Sequence, residues 1–300
     1  MIQKIQHSAT SAQQSEVVKI TERENSGVRS LSLARTAIGY IVSGTKYIYC
    51  NDHSYAIEEG NIFFLDAGFH YEENVIGHNG RFEQILFYIS PQRLQQAIVD
   101  LNVNYNLTFS SHHTCSICMS RNFAFAKASL PTRNFFVGID LSLRHTGMLH
   151  NDVGQRIKLN EMIYLLLTDD DGCIRRKILR SADVESGLFV SVIYNNIFND
   201  ISVEALAELT NRSLTSFKKE FKRQFHASPH HWIIEQRLSR AKIMLTSSSH
   251  TISEIGNECG FTNISHFIKL FKQRYHATPA SFRRESLVPS RNEEESAAVG

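Results

Sequence analysis

The chain has 300 residues, of which 42% are hydrophobic, with a formal net charge of +2 and five cysteines. An odd, sparse cysteine count does not suit a disulfide framework, no apolar run approaches the roughly 18–20 residues that span a bilayer, and Met1–Glu16 lacks the apolar centre of a secretory leader. We therefore expect a soluble, cytoplasmic protein of about two domains.

From about Arg35 to Ser90 the sequence reads as short strands. Ile38–Val42, Lys46–Cys50, Ser54–Ile57, Asn61–Leu65 and Glu83–Ile89 are rich in aromatic and β-branched residues. Ser43-Gly44, Asn51-Asp52, Glu59-Gly60, Ala67-Gly68 and Asn79-Gly80 separate them with good turn chemistry. This spacing predicts a small antiparallel barrel or sandwich. After Pro91 the period lengthens. Arg93–Asn102, Asn134–Leu149, Glu161–Thr168 and Ala182–Phe198 read as helices, and Asn199-Asp200 as a boundary. The fold class expected is α+β.

Two clusters in this half invite a metal. His112, His113, Cys115 and Cys118 could supply four zinc ligands, but four ligands within seven residues strain a tetrahedral site, so an ordinary loop is the favoured reading. Asp169-Asp170-Asp171 lacks calcium-loop spacing and reads as a solvated turn. His53, His70 and His78 are scattered through turns with no His-x-His pair. We expect no catalytic residue, metal or cofactor, and no nucleophile elbow or phosphate loop stands out.

The last third repeats itself. Phe217-Lys218-Lys219-Glu220-Phe221-Lys222-Arg223-Gln224-Phe225-His226-Ala227-Ser228-Pro229 returns as Phe267-Ile268-Lys269-Leu270-Phe271-Lys272-Gln273-Arg274-Tyr275-His276-Ala277-Thr278-Pro279. Such a return marks one supersecondary unit used twice. In the first copy Ser202 caps a helix over Val203–Leu209, Thr210-Asn211 turns the chain, and Ser213 caps a second helix to Phe225. Leu214, Phe217, Phe221 and Phe225 share one side; Thr215, Lys218, Lys219 and Lys222 share the other. In the second copy Thr251 and Glu254 form a capping box, Cys259-Gly260-Phe261 closes the helix, and the next begins near Asn263. Ile264, Phe267, Phe271 and Tyr275 face inward; Ser265, His266, Lys269 and Lys272 face out. Pro229–Leu245 joins the copies as a helix about 25 Å long, anchored by Trp232.

Charge follows the repeat. Residues 201–285 hold 13 Lys/Arg against 7 Asp/Glu, whereas 1–200 hold 18 against 20. Two helix-turn-helix units, each with an exposed basic second helix, suit double-stranded DNA read in two places.

Residues 201–285, and above all Ile255–Lys272 with Thr278-Pro279 and Phe282-Arg283, resemble the DNA-binding region of AraC/XylS-type transcription regulators. The resemblance implies two helix-turn-helix subdomains on a linker helix, each placing a helix in adjacent major grooves. It assigns base contacts to Ser213, Thr215, Lys218, Lys219, Asn263, Ser265, His266 and Lys269, and phosphate contacts to Lys222 and Lys272. His226 and His276 depart from the pattern, standing where the family usually has Gly, and Gly256 stands where a small Ala is usual. Residues 35–90 resemble the family's cupin-like sensing domain. The implied organisation is a regulatory region, 1–198, with dimerisation in 150–198; a DNA-binding region, 199–285; and a disordered tail, 286–300. The implied partners are DNA, RNA polymerase and a second copy, with activation the commoner mode and the effector a small molecule or a protein. The alternative is a cupin-type metal- or ligand-binding protein fused to a non-specific DNA-binding module.

Overall fold

The structure is a computed structural model that describes residues 16–50, 53–110, 113, 115, 121–145, 151–169 and 172–286. Alternating apolar residues in its first half build two antiparallel sheets. The strands are β1 (Glu16–Glu22), β2 (Arg29–Leu33), β3 (Thr36–Ser43), β4 (Thr45–Cys50), β5 (His53–Glu58), β6 (Asn61–Leu65), β7 (Gly68–Val75), β8 (Phe82–Ile89) and β9 (Phe123–Lys127). One sheet runs β1-β8-β3-β6-β9 and the other β2-β7-β4-β5.

Strand β8 shows how the layers form. Phe82, Leu86 and Tyr88 enter the core between the sheets. Ile85, Phe87 and Ile89, one residue out of phase, enter a second core against the helices. A strand buried on both faces reads as a near-continuous apolar run. The two sheets do not close into the expected barrel. Strands β1 and β2 lie before the anticipated start, and β9 joins the five-stranded sheet from beyond the first helix.

The helices of this half are α1 (Pro91–Tyr105), α2 (Leu130–His145), α3 (Asp152–Thr168), α4 (Gly172–Ala182) and α5 (Val184–Asn196). Ser90 caps α1, its hydroxyl accepting from Arg93 N–H at 3.2 Å. Helix α4 is a departure from the sequence reading, because buried Lys177 interrupts the apolar face formed by Ile174 and Ile178. The Lys177 ammonium donates to Asp66 at 2.7 Å, and Arg180 donates to the same oxygen at 2.9 Å. Burial works to raise the Asp66 pKa, but these two cations hold it below the usual value.

The repeat region forms α6 (Val203–Leu209), α7 (Leu214–Phe225), α8 (Pro229–Ser247), α9 (Ile252–Glu258), α10 (Ile264–Tyr275) and α11 (Pro279–Ser286). By internal packing, Ser202–His230 group with the residues up to Asn196, and Ile197–Ile201 group with the residues from His231 onward. Among the described residues no helix is long and apolar enough to cross a membrane. The expected tail from residue 287, Asp170-Asp171 and the end of the predicted 134–149 helix lie outside the described residues.

Candidate nucleic-acid interface

The first helix-turn-helix is held by caps at each junction. Ser202 accepts from Ala205 N–H at 3.1 Å to start α6, and Ser213 accepts from Ser216 N–H at 3.3 Å to start α7. Between them Asn211 takes the left-handed conformation at φ 53°. Phe217, Phe221 and Phe225 are buried. Part of their cover comes from α5, whose Phe189 and Tyr194 rings lie 5.5 Å from Phe217 and 5.9 Å from Phe225.

The second unit repeats this construction. Thr251 and Glu254 complete the capping box of α9. Gly260 turns the chain at φ +83°, where a side chain would also meet the Phe198 carbonyl. Asn263 caps α10, its side-chain oxygen accepting from His266 N–H at 2.9 Å. Phe267 and Phe271 pack with Leu238, Ala241, Met244 and Leu245 of α8. Gly256 lets α9 approach α10, since a Cβ there would lie 2.7 Å from the end of Ile264.

The outer faces carry the sequence-predicted residues. Ser213, Thr215, Lys218, Lys219 and Lys222 are exposed at the start and along the open face of α7; Asn263, Ser265, His266, Lys269 and Lys272 are exposed on α10. Among the described residues no ion pair engages any of these five lysines. The one acid of α7, Glu220, is taken by Arg223 at 2.6 Å and Gln224 at 2.8 Å. Both outer faces therefore present cations whose charge is available to phosphates.

His226 and His276 end α7 and α10 in the left-handed conformation, at φ 54° and 59°, their backbone N–H groups donating to the carbonyls of Lys222 and Lys272. The Gly expected at these positions would serve the same cap without a Cβ.

Sequence reasoning missed the residues that brace the turns. The Arg237 guanidinium, buried on α8, donates to the carbonyls of Ile197, Asn199 and Gly260 at 2.6–2.7 Å. Arg283 donates to the carbonyls of Leu245 and His250. Both arginines sit among basic neighbours in sequence, so no local pattern separates a backbone clamp from a solvated charge. Trp232 is buried.

In the sheet region, His53 and His78 are exposed, whereas His70 is buried against the Asp66 carbonyl at 2.8 Å. His112 and Cys118 lie outside the described residues; His113 and Cys115 meet Cys173 of α4.

Two capped helix-turn-helix units with unneutralised outer lysines, preceded by a β-rich region, define a DNA-binding regulator. Comparison with known proteins agrees: a helix-turn-helix domain family matches residues 206–285, and the ExsA N-terminal regulatory domain family matches residues 36–173. The transcriptional activator AggR of Escherichia coli is 23% identical over 267 residues, covering 87% of this chain and 95% of that one. The E. coli regulator YdiP is 28% identical over 116 residues, so the chain spans 39% of itself and 36% of YdiP in that match. The solved structure of ToxT from Vibrio cholerae covers 90% of this chain and 98% of its own at 12% identity and a TM-score of 0.44. In both regions the chain is similar to AraC/XylS-type transcription regulators.

Proposed function

We propose that the chain is a sequence-specific activator that reads two adjacent major grooves, one with α7 and one with α10. The observation that carries this reading is the duplicated unit, with matching caps, matching left-handed end residues and an exposed cationic face on each second helix. Lys222 and Lys272, farthest from the helix starts, contact phosphates. Ser213, Thr215, Lys218, Lys219, Asn263, Ser265, His266 and Lys269 address base edges, because the first turns of a recognition helix enter the groove most deeply. Ser213 and Asn263 accept cap hydrogen bonds, and each keeps its own O–H or N–H donors for DNA. Residues 199–285 form the DNA-binding region and 1–198 the regulatory region; no enzymatic role is proposed. AggR carries the name activator, which supports recruitment of RNA polymerase here in the cytoplasm.

A homodimer is supported by apolar side chains left on helix surfaces. Val153, Ile157 and Tyr164 of α3 are 63%, 53% and 41% exposed, and their spacing of four and seven places them on one helical face. The effector is a small molecule held between the sheets. A cavity of about 140 Å³ there is lined by Leu31, Leu33, Phe63 and Leu86 beside Arg29, Lys46 and Glu72. An apolar cavity of about 150 Å³ accommodates benzene, so an effector of that size suits the space. A protein partner seated on the α3 stripe is the second reading.

The test is selection of the full chain on a randomised duplex library at two salt concentrations. A bipartite site with halves about one helical turn apart is expected. Salt-sensitive binding with no enriched sequence would remove the sequence-specific reading.

A further inference from the structure

We propose that His113, Cys115 and Cys173 form a site for a thiophilic divalent cation of the zinc class. One donor atom from each lies within 4.8 Å of the others. His113 Nε2 is 3.0 Å from Cys173 Sγ, although the two residues are 60 positions apart in sequence. His113 and Cys115 belong to the connection between α1 and β9; Cys173 is in the first turn of α4.

The site is built rather than incidental. Arg176, one turn along α4, donates to the His113 carbonyl and fixes the connection at that point. The imidazole rests on Gly172, where a Cβ would come within 2.5 Å of His113 Nδ1. Only a residue without a side chain leaves room for the ring beside Cys173.

The donor set selects the ion. Zinc–sulfur bonds of about 2.3 Å and zinc–nitrogen bonds of about 2.0–2.1 Å put tetrahedral donors about 3.5–3.8 Å apart. The present spread reaches that arrangement through small side-chain rotations. Two thiolates and an imidazole favour zinc over magnesium or calcium, which require oxygen donors. Both cysteines stand as thiols rather than in a disulfide. Binding would release their two protons and leave one coordination position to water or an exogenous ligand. All three residues are half-buried, so an ion can enter. By contrast Cys259 is buried in the second helix-turn-helix core, and burial pushes its thiol up to about 12.

Occupancy would bear on the regulatory half of the chain. The same helix inserts Ile174 and Ile178 into the helix–sheet core and holds Asp66 through Lys177, Arg180 and Ser181. An ion would tie the α1–β9 connection to that helix. The structural set also differs from the sequence-local one, since Cys173 stands outside His112–Cys118.

The test uses the full chain, reduced and stripped of metal, with cobalt(II) as the probe. One cobalt per chain with thiolate-to-cobalt charge-transfer bands, displaced by zinc, is expected. Zinc affinity should fall at least about tenfold in C173S and in H113A, and survive in C118S. C115S, on the connection rather than in a helix, serves if C173S fails to fold: zinc should raise the melting temperature of the parent chain and leave C115S unmoved. Absence of the charge-transfer bands overturns the site. So does loss of binding in C118S with retention in C173S, which would put the ion on the sequence-adjacent cysteine pair.

Discussion

The Phe189 ring of α5 lies 5.5 Å from the Phe217 ring of α7, tilted at 48°. Phe189 also meets Phe221 at 6.4 Å, and Arg212 of the intervening turn stacks over it at 5.7 Å. A residue outside the repeat thus completes the core of its first copy. Phe189 is 3% exposed, and burying an aromatic in such a cluster makes it costly to remove. Phe189→Ala should cost about 3–5 kcal/mol, read as a shift in the urea midpoint of the full chain. A DNA-binding fragment begun at residue 183 should likewise melt higher than one begun at 199. Equal melting of the two fragments would remove Phe189 from the core of this unit.

Much of the repeat was legible because its signals are local. Ser213, the Thr251–Glu254 box and the four-residue aromatic spacing each act within one or two turns, and the structure places them as the spacing predicts. The clamp of Arg237 was not legible, since its partners Ile197 and Asn199 are about forty positions away. Helix α4 was hidden for a related reason: Lys177 looks like a solvent residue until Asp66, 111 positions earlier, is brought against it. The strands β1 and β2 were missed because Glu16–Glu22 and Arg29–Leu33 carry charge at their ends. In the fold, Glu22 and Arg29 pair at 2.7 Å, so those charges are internal to the sheets.

Asp66 gives the regulatory half an acid-sensitive stability. Burial alone would raise its pKa, but Lys177 and Arg180 hold it below the ordinary carboxylate value. A depressed folded-state pKa contributes stability that is complete well above the unfolded value of about 3.9 and is lost as pH falls from about 5 toward the folded value. Glu72, paired with Lys46 and Arg29, acts in the same direction. Asp66→Asn should lower stability by about 3–5 kcal/mol at neutral pH, because it leaves two cations without their anion. It should also flatten the decline between about pH 5 and 3. An unchanged slope in denaturant titrations across that window would assign the acid sensitivity elsewhere.

The left-handed His276 is a position where the chain departs from the usual glycine, and where its conformation opposes it. A non-glycine residue in this region costs about 1–2 kcal/mol, partly offset because Gly loses more chain entropy on folding. His276→Gly should therefore raise stability by about 0.5–1 kcal/mol, with the cap bond to the Lys272 carbonyl retained. Thermal unfolding of the full chain reads this directly. A fall in melting temperature would mean that the imidazole makes a compensating contact.

The α3 stripe predicts an assembly defect separable from folding. Ile157 is 53% exposed, so a charge there disturbs no core. Ile157→Glu should leave the unfolding free energy of dilute protein within about 1 kcal/mol of parent, yet shift sedimentation from dimer toward monomer. A monomeric parent chain would refute the dimer outright. A dimer untouched by the substitution would move the interface away from α3.

The two classes of DNA contact separate by their response to sequence and salt. Lys222 sits beyond the helix start with its charge available, so Lys222→Ala should weaken specific and random duplexes alike and reduce the salt slope by about 1. His266 and Lys269 stand near the start of α10. A lost base contact costs about 1–3 kcal/mol and relaxes discrimination at one position. His266→Ala or Lys269→Ala should therefore lose affinity for the selected site while leaving random DNA nearly unchanged for the histidine variant. Because the two units are copies, the relaxed positions should fall in the half-site opposite to the one affected by Lys218→Ala. Equal losses on selected and random DNA for His266→Ala would make it a positioning contact. The same half-site relaxing for both His266→Ala and Lys218→Ala would break the assignment of one groove to each helix.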